Sequence, residues 1–331
     1  MRTVSFIRTM IAAAAAALVL GCGTAPVENG GGNGPAAGVF TVYYDADGLA
    51  NNVVNDLAVD YFRSGLWVAT QKGLSFFSFK DSTWTTYGTA QGLPNLKVTS
   101  VAVQLGTVWA GTMSGPAFFE TGGFQDLPDP AVLPDKIVTV LAPMPEPDYS
   151  LWIGTRGGVA RRTVSGEWKS WTTADDLSYN DITSIARDRA GVVWVGTRYG
   201  LDVFDGVRWT ATTTGLPDPA VLGVYVDGSG SVWAGTAAGV MEFRGLQRLT
   251  YGTASGLPSP VVYEFVEDST RMLWAATENG VARFDGVRWS KLALPDTVDG
   301  LPVYALASDV ITKSIWIGTA GGLVRWRPTS Q

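Results

Sequence analysis

The sequence predicts an all-β protein, a seven-bladed β-propeller of four-stranded antiparallel blades whose last blade is closed by the N-terminal strand. Three observations predict it: a tryptophan motif that occurs seven times, short β-rich runs within each repeat, and an outer-strand motif that starts ahead of the first tryptophan motif. Tandem repeats of about 40–45 residues with four strands each are typical of propeller blades.

The repeated motif is Trp-x-x-Thr with a glycine three residues later, as in Trp194-Val-Gly-Thr197 and Gly200. Successive tryptophans are 42, 43, 42, 39, 41 and 42 residues apart. A large side chain at one place in every repeat most simply packs blade against blade, so we predict packing rather than ligand binding. The seven residues are Trp67, Trp109, Trp152, Trp194, Trp233, Trp274 and Trp316.

Within a repeat, four short runs are rich in β-branched and aromatic residues. In the fourth repeat they are residues 183–188, 191–197, 201–204 and 208–212. Asp205-Gly206 lies in a hexapeptide that recurs at 284–289, and Asp-Gly predicts a hairpin because both residues tolerate positive φ. The repeated threonine is expected to hydrogen-bond a neighbouring turn or blade.

The outer-strand motif, a large residue followed three positions later by another, first occurs at Phe40 and Tyr43. The last repeat has inner strands, ending at residues 323–326, without an outer strand after them. We therefore predict that residues 40–44 pair beside residues 323–326 and complete the seventh blade, because closure removes exposed strand edges.

Residues 1–21 are predicted to be a lipoprotein signal peptide. They contain Arg2 and Arg8, then an apolar run at 11–20 that is too short to span a bilayer. The run leads into Leu-Gly-Cys22, which resembles the bacterial lipobox and implies acylation of Cys22. Residues 22–38 are then an acylated cysteine with a flexible Gly-rich tether, and residues 39–331 are the propeller. The implied location is the bacterial cell envelope, at the outer membrane.

Composition excludes several classes of function. The chain has no histidine, which excludes catalytic mechanisms that need an imidazole base. It has 24 Lys and Arg against 30 Asp and Glu, which argues against nucleic acid as a partner. No calcium-loop motif occurs, and neither a metal nor a cofactor is expected.

The fourth repeat, residues 176–201 with the core Val-Trp-Val-Gly-Thr-Arg-Tyr-Gly-Leu, resembles the two-component regulator propeller repeat. The resemblance extends over residues 39–327, although the second repeat departs from it at Pro116 and in a longer loop at 128–136. It implies a ligand-sensing module of the kind found outside the membrane in hybrid sensor kinases, often in glycan-responsive systems. Kinase modules are missing here, which implies a stand-alone lipoprotein form.

Residues that vary among blades on one rim are better candidates for a ligand site than residues that repeat. The turns between the motif threonine and glycine are expected to share a face with the loops that enter the innermost strands. Their variable residues predict a rim that binds an anionic or polyhydroxylated partner, either a glycan fragment or a protein loop. Alternatively, the cations only solvate the turns. The candidates are Lys72, Arg156, Arg198 and Tyr199 on one arc and Glu278 and Asn279 opposite.

The predicted function is a non-catalytic ligand- or protein-binding module, sensor-like or scaffolding, that is monomeric and contacts the membrane only through its lipid. The alternative is a lyase- or hydrolase-like propeller enzyme that uses carboxylates of the central channel. Asp56, Asp181 and Glu264 are the acids nearest that channel. Streptogramin lyases have a similar repeat but rely on histidine, so no catalytic residue is predicted here.

Overall fold

Seven separate four-stranded antiparallel sheets make up the computed structural model, which describes residues 38–127 and 129–329. The prediction of a seven-bladed all-β propeller is confirmed. In the described part of the chain the helical elements are short 3₁₀ turns. The predicted signal peptide, the acylation site Cys22 and the tether up to residue 37 lie outside the described residues, and Gly38 already belongs to the first strand.

The strands follow one another in chain order and agree with those predicted for the fourth repeat to within two residues. Their bounds are β1 Gly38–Tyr43, β2 Val54–Asp60, β3 Gly65–Thr70, β4 Gly73–Ser78, β5 Trp84–Tyr87, β6 Val98–Gln104, β7 Thr107–Thr112, β8 Gly115–Glu120, β9 Gly123–Asp126, β10 Val138–Pro143, β11 Leu151–Thr155, β12 Val159–Arg162, β13 Trp168–Trp171, β14 Ile182–Arg187, β15 Val193–Thr197, β16 Gly200–Phe204, β17 Trp209–Ala211, β18 Val221–Val226, β19 Val232–Thr236, β20 Gly239–Arg244, β21 Gln247–Tyr251, β22 Val262–Glu267, β23 Leu273–Thr277, β24 Gly280–Phe284, β25 Trp289–Leu292, β26 Val303–Asp309, β27 Ser314–Thr319 and β28 Gly322–Pro328.

Each of blades 1 to 6 uses four consecutive strands, so blade 1 is β2–β5 and blade 6 is β22–β25. Blade 7 is β26, β27, β28 and β1. The first strand of every blade contacts the first strand of the next, and β26 contacts β2 in the same way. The first strands therefore form a closed ring around the centre of the molecule.

The N-terminal strand closes this ring, as predicted. β1 runs antiparallel to β28, with Phe40 opposite Trp326 and Tyr43 opposite Leu323. Phe40 is buried in a cluster that includes Trp274 of blade 6. Tyr43 meets the ring of Trp84 in blade 1 at 5.7 Å between centroids. The closing strand is thus held by side chains of both neighbouring blades as well as by backbone pairing.

The antiparallel order places the connections on two faces. The upper face has the turns between second and third strands and the loops that join one blade to the next. The lower face has the hairpin turns between first and second strands and between third and fourth strands. Because Gly38 lies opposite Pro328, β1 begins on the lower face and runs towards the upper one.

The motif tryptophans lie between blades. Trp152 meets Phe204 and Trp209 of the next blade, with ring centroids 5.9 and 6.3 Å away. Trp233 meets Phe284 and Trp289 in the same manner, at 5.2 and 5.9 Å. Six of the seven are buried, and Trp194 is half-buried. This is the geometry that interblade packing requires.

Four of these indoles also donate a hydrogen bond to an aspartate, which was not predicted from the sequence. Trp233 Nε1 donates to Asp227 Oδ2 at 2.8 Å, while Oδ1 of the same carboxylate accepts the turn amides of Ser229 and Ser231. Burial alone would raise the pKa of Asp227, but these bonds hold it below its usual value. The equivalent pairs are Trp67 with Asp60, Trp194 with Asp188 and Trp274 with Asp268. The detectable signal is an aspartate six or seven residues before the tryptophan.

Blade 2 has glutamine at that aspartate's place, and the buried Trp109 Nε1 has no hydrogen-bond acceptor among the described residues. We therefore expect Trp233→Phe to lower the free energy of unfolding by about 1–3 kcal/mol more than Trp109→Phe does, because only the first removes a bond to a charged group. Chemical denaturation of the two variants measures the difference. Equal losses would contradict the role of the aspartate.

Removal of residues 39–44 should open blade 7 and lower the melting temperature markedly. The milder Phe40→Ala should cost about 3–5 kcal/mol, because Phe40 is buried between blades. Thr41→Ala, at a partly exposed position of the same strand, is the matched control and should change stability little. Calorimetric scans report both, and an unchanged melt of the deleted chain would argue against closure by β1.

Candidate functional site

The upper-face turns are fixed by the repeated threonine. In all seven blades its hydroxyl donates to the carbonyl oxygen of the motif glycine, at 2.6–3.1 Å. The same hydroxyl accepts the amide two residues after the threonine, at 3.0–3.2 Å. Both bonds lie inside the threonine's own turn. The expectation that the threonine would hydrogen-bond a neighbouring turn or blade is therefore wrong. Each turn is therefore a rigid platform for its two tip residues.

In four of the seven blades the motif glycine is required by the close approach of the outer strand, because a Cβ at Gly73, Gly158, Gly239 or Gly322 would lie 2.4–3.0 Å from a carbonyl oxygen of that strand. At Gly158 the backbone has φ +142°, and a Cβ there would lie 2.4 Å from the carbonyl oxygen of Trp171. A side chain fits neither that conformation nor that space. The turns consequently keep one shape while their tips differ.

All six predicted rim residues occupy these tips on the upper face. Lys72 belongs to blade 1, Arg156 to blade 3, Arg198 and Tyr199 to blade 4, and Glu278 and Asn279 to blade 6. In a ring of seven, blade 6 lies across from the arc of blades 1 to 4. The arrangement of the turns is as predicted, whereas a ligand role for these residues stays a prediction.

The charges of the upper face differ from the expectation of a basic arc. Arg198 Nε lies 2.9 Å from Asp181 Oδ2, so its charge is already paired. Within the part of the chain that the structure describes, no ion pair involves Lys72 or Arg156. The interblade loops contain two lysines, at 97 and 136, against ten aspartates at positions 45, 47, 129, 135, 175, 176, 181, 218, 296 and 299. An acidic surface of this kind disfavours an anionic partner.

Two tyrosine pairs lie on or near the same face. Tyr199 meets Tyr179 of the adjoining loop at 4.9 Å between ring centroids, and both side chains are exposed. Tyr263 meets Tyr304 of the next blade at 5.5 Å, where both are half-buried. Burial raises the pKa of Tyr263, and the neighbouring Glu278 carboxylate raises it further. Tyr179, Tyr263 and Tyr304 were not among the rim residues predicted from the sequence.

A signal for two of them does exist in the repeat. Each first strand has a bulge directly after its first residue, and Tyr263 and Tyr304 are the bulge residues of blades 6 and 7. The other blades place small or aliphatic residues there, namely Asn55, Thr99, Thr139, Thr183 and Leu222. An alignment of the seven repeats would show these two aromatics as exceptions.

In four of the seven blades the residue after the bulge links neighbouring blades. Ser100 Oγ accepts the amide of Leu141 at 3.0 Å, and Ser184 Oγ accepts that of Val224 at 2.9 Å. Asp56 and Glu264 do the same with carboxylates: Asp56 Oδ2 accepts the Val101 amide at 2.8 Å, and Glu264 Oε2 accepts the Leu306 amide at 2.7 Å. Two of the three acids nearest the channel are thus bound to backbone amides of the next blade.

These two carboxyl groups stand on either side of Ala305 in blade 7 and interact electrostatically. Burial raises the pKa of Asp56 to about 6, in spite of the hydrogen bonds from Ser100 and Val101 that lower it. Burial and the nearby Asp56 charge raise the pKa of Glu264 well above its usual value. The third predicted acid, Asp181, is instead part of the rim ion pair with Arg198.

Across residues 38–127 and 129–329, no cluster of three or more potential metal-ligating side chains is present. In the same ranges no helix has the length and apolarity needed to span a membrane.

Grooves between blades open on the lower face, where the sequence analysis had placed no site. The groove between blades 2 and 3 has a volume of about 520 Å³ and is lined by Trp109, Phe118, Trp168 and Arg162. Those between blades 5 and 6 and between blades 7 and 1 have about 800 and 460 Å³.

Residues 176–199 match the family model named two component regulator propeller. The fourth repeat is thus similar to the two-component regulator propeller repeat. No curated protein matches the chain at a significant level.

Solved structures share the propeller fold of this chain at low sequence identity. The extracellular domain of a hybrid two-component system from B. thetaiotaomicron is 21% identical, with a TM-score of 0.76 over 88% of this chain and 42% of that one. Virginiamycin B lyase from Staphylococcus aureus, in a catalytically inactive histidine-to-alanine variant with quinupristin, is 14% identical with a TM-score of 0.69 over 88% and 99%. PorZ, a surface component of the type-IX secretion system of Porphyromonas gingivalis, is 16% identical with a TM-score of 0.68 over 84% and 46%.

These likenesses establish the propeller fold. The chain spans less than half the length of the sensor domain and of PorZ, and nearly the full length of the lyase. Sensors, a secretion component and an enzyme thus share the architecture, so function has to be argued from this chain's own upper face.

Stability should depend on pH through the channel carboxyls. Their pKa values are higher in the folded chain than in the unfolded one, so the folded chain holds more protons, and the free energy of unfolding falls as pH rises from about 4 to 6. For Asp56 the fall is up to about 3 kcal/mol. Glu264→Gln keeps an acceptor for Leu306 and removes one charge, so urea unfolding should show higher stability at pH 7 and a flatter profile.

Asp205→Asn is the control for this measurement. The Arg208 and Val207 amides hold the pKa of the Asp205 carboxyl below its usual value, so this variant should alter the profile below about pH 4 instead. A wild-type stability that rises between pH 4 and 6 would show that the two channel carboxyls are not destabilised by burial.

Proposed function

We propose that the chain is a lipid-anchored binding propeller of a bacterial cell envelope, and that its upper face takes a polyhydroxylated ligand such as a glycan fragment without converting it. The observation that carries this proposal is the exposed Tyr179–Tyr199 pair on a turn fixed by Thr197, beside an acidic surface. Aromatic faces stack on sugar rings, and carboxylates accept hydrogen bonds from hydroxyl groups.

The location is supported by the leader and by the repeat. The leader ends in Leu-Gly-Cys22, which favours export and acylation of Cys22. Both the similar domain from B. thetaiotaomicron and PorZ are named as extracellular or surface components. A sensor-like role would require a separate signalling partner, and a scaffolding role would require a protein loop as the ligand.

The acidic loops favour the polyhydroxylated ligand over the anionic one. Arg198 is paired with Asp181, which leaves Lys72 and Arg156 on separate blades as the other cations of the predicted arc. A neutral glycan meets no electrostatic penalty at this surface, whereas a phosphate or sulfate group meets ten loop aspartates.

The test is retention of a panel of immobilised neutral and acidic oligosaccharides by the purified chain. We expect Tyr179→Ala/Tyr199→Ala to reduce retention of the bound glycan about tenfold, since a stacking contact is worth about 0.5–1.5 kcal/mol per ring and about 1.4 kcal/mol is a factor of ten in affinity. Arg156→Ala/Arg198→Ala should reduce it less. The matched control is Arg208→Ala/Arg288→Ala, which removes exposed arginines of the lower face and should leave retention unchanged.

Two results would contradict the proposal. One is retention that survives loss of both tyrosines, and the other is binding confined to acidic oligosaccharides. If no glycan is retained but envelope protein crosslinks through a photoreactive residue at position 199, a protein loop is the ligand and the scaffolding role replaces the glycan role.

An enzyme that uses the channel acids is the second candidate, favoured by the raised pKa values of Asp56 and Glu264. Against it, both groups bind backbone amides in the way that Ser100 and Ser184 do, which is a structural role shared by four blades. The chain also has no histidine, whereas the S. aureus lyase is inactive in a histidine-to-alanine variant.

Mass spectrometry of a retained ligand separates the two candidates. We expect its mass to stay unchanged after prolonged incubation with the wild-type chain, and Asp56→Asn and Glu264→Gln to retain it equally well. A product that forms with the wild-type chain and disappears with either variant would establish the enzyme.

A further inference from the structure

Exposed apolar side chains are distributed unequally between the two faces of the propeller. Of the twelve large hydrophobic residues that are exposed in the described ranges, nine lie in lower-face turns. Those nine are Tyr61, Phe62, Leu105, Val164, Val207, Leu246, Val287, Val310 and Ile311. The remaining three, Leu96, Tyr179 and Tyr199, lie on the upper face.

The nine residues form a ring rather than a patch. Every one of the seven blades contributes at least one of them, each at the tip of a hairpin turn. Leu246 is fully exposed, and Val207, Val287 and Phe62 are at least three-quarters exposed. A protein interface normally concentrates its apolar residues in one buried centre with a polar rim. Apolar tips spread around one whole face match a flat, extended surface instead.

The charges of the two faces point the same way. The lower-face turns mix cations with acids: Lys80, Arg208, Arg288 and Lys313 stand beside or near apolar tips. The upper face has eleven acids against five cations when the turn tips are counted with the interblade loops, whereas the lower-face turns have nine acids against seven cations. Bacterial membranes that contain anionic lipids repel the upper face more strongly, and cations close to the apolar tips interact favourably with their headgroups.

The chain also enters the propeller on the lower face. Gly38 begins β1 opposite Pro328, in the blade that contains Val310 and Ile311 and next to the blade of Tyr61 and Phe62. Fifteen residues separate Gly38 from Cys22 in the sequence. A chain of that length reaches at most about 55 Å, so a lipid on Cys22 keeps the propeller within that distance of the bilayer and attaches it through its lower face.

From these observations we propose that the lower face is a lipid-contacting surface. Its ring of nine apolar tips rests in the headgroup region of the bilayer, and the upper face points away from the membrane. The lipid anchor and the ring then act together, because a single acyl signal binds a membrane weakly and a second contact strengthens it. The inference rests on the proposed acylation of Cys22, and it adds a defined orientation.

The test uses the full chain purified from membranes and reconstituted in vesicles of phosphatidylethanolamine and phosphatidylglycerol at a molar ratio of about 7:3, rich in anionic lipid as the charge argument requires. Acylation through a thioether leaves Cys22 without a free thiol, so a cysteine introduced elsewhere can be labelled alone with an environment-sensitive fluorophore. The labelled positions are Leu246→Cys and Ile311→Cys on the lower face and Leu96→Cys on the upper face as the matched control.

We expect the two lower-face labels to shift to shorter emission wavelengths and to be quenched by doxyl-labelled lipid, and the label at position 96 to do neither. In a second chain labelled at Val207→Cys, the added changes Leu246→Ser, Val287→Ser and Ile311→Ser should abolish the quenching while acylation persists. These tips are exposed, so the variants should fold normally, which circular dichroism checks.

The outcomes separate the inference from its premise. An acylated chain whose upper and lower labels report the same environment overturns the orientation and leaves the anchored binding propeller intact. A chain that carries no lipid on Cys22, detected by mass spectrometry and by labelling of a free thiol there, overturns the anchor and this inference together. A lower-face shift that depends on protein concentration and occurs without vesicles identifies a second copy of the chain as the occupant, which also overturns it.

Discussion

Closure of the ring is the constraint on which the rest of this molecule depends. A blade is a small twisted sheet whose two faces are both apolar, and neither face is covered until the neighbouring blades are in place. The pairing of β1 with β28 makes this mutual covering complete, because it supplies the fourth strand of blade 7 and places Phe40 against Trp274 and Trp326. The pairing of β1 with β28, which joins the two ends of the chain, therefore stabilises all of the interblade contacts.

Within the closed ring, the repeat divides its residues between two tasks. The tryptophan, threonine and glycine of the motif build seams and turns, and the same hydrogen bonds recur in all seven turns. The tips that these turns carry are free to differ, from Ala237-Ala238 to Arg198-Tyr199. Separation of packing from recognition explains how sensors, a secretion component and a lyase can share this architecture.

The sequence predicted the blade count, the strand limits and the closing strand, because these follow from periodicity and from hairpin chemistry that act over a few residues. It did not predict that Asp227 would accept the indole N–H of Trp233, although an aspartate six or seven residues before the tryptophan was present in five repeats, four of which form this bond. The contacts that the rim side chains make could not be predicted from the sequence for a different reason. Whether Arg198 is free or paired depends on Asp181, which lies in a separate loop, and the approach of Tyr263 to Tyr304 depends on how adjacent blades are placed. Likewise, the tips at Val207 and Leu246 read as ordinary hairpin residues until the topology puts them on one face.

The threonine-fixed turn has a consequence for how such a protein diversifies. Each turn is held by two hydrogen bonds of its own threonine, such as Thr197, and not by its two tip residues. The pair of tip side chains can therefore be exchanged without a change in the turn. Exchange of tip residues between blades alters what the surface recognises and leaves the propeller fold unchanged. A new specificity can thus arise by recombination among the seven repeats of one gene.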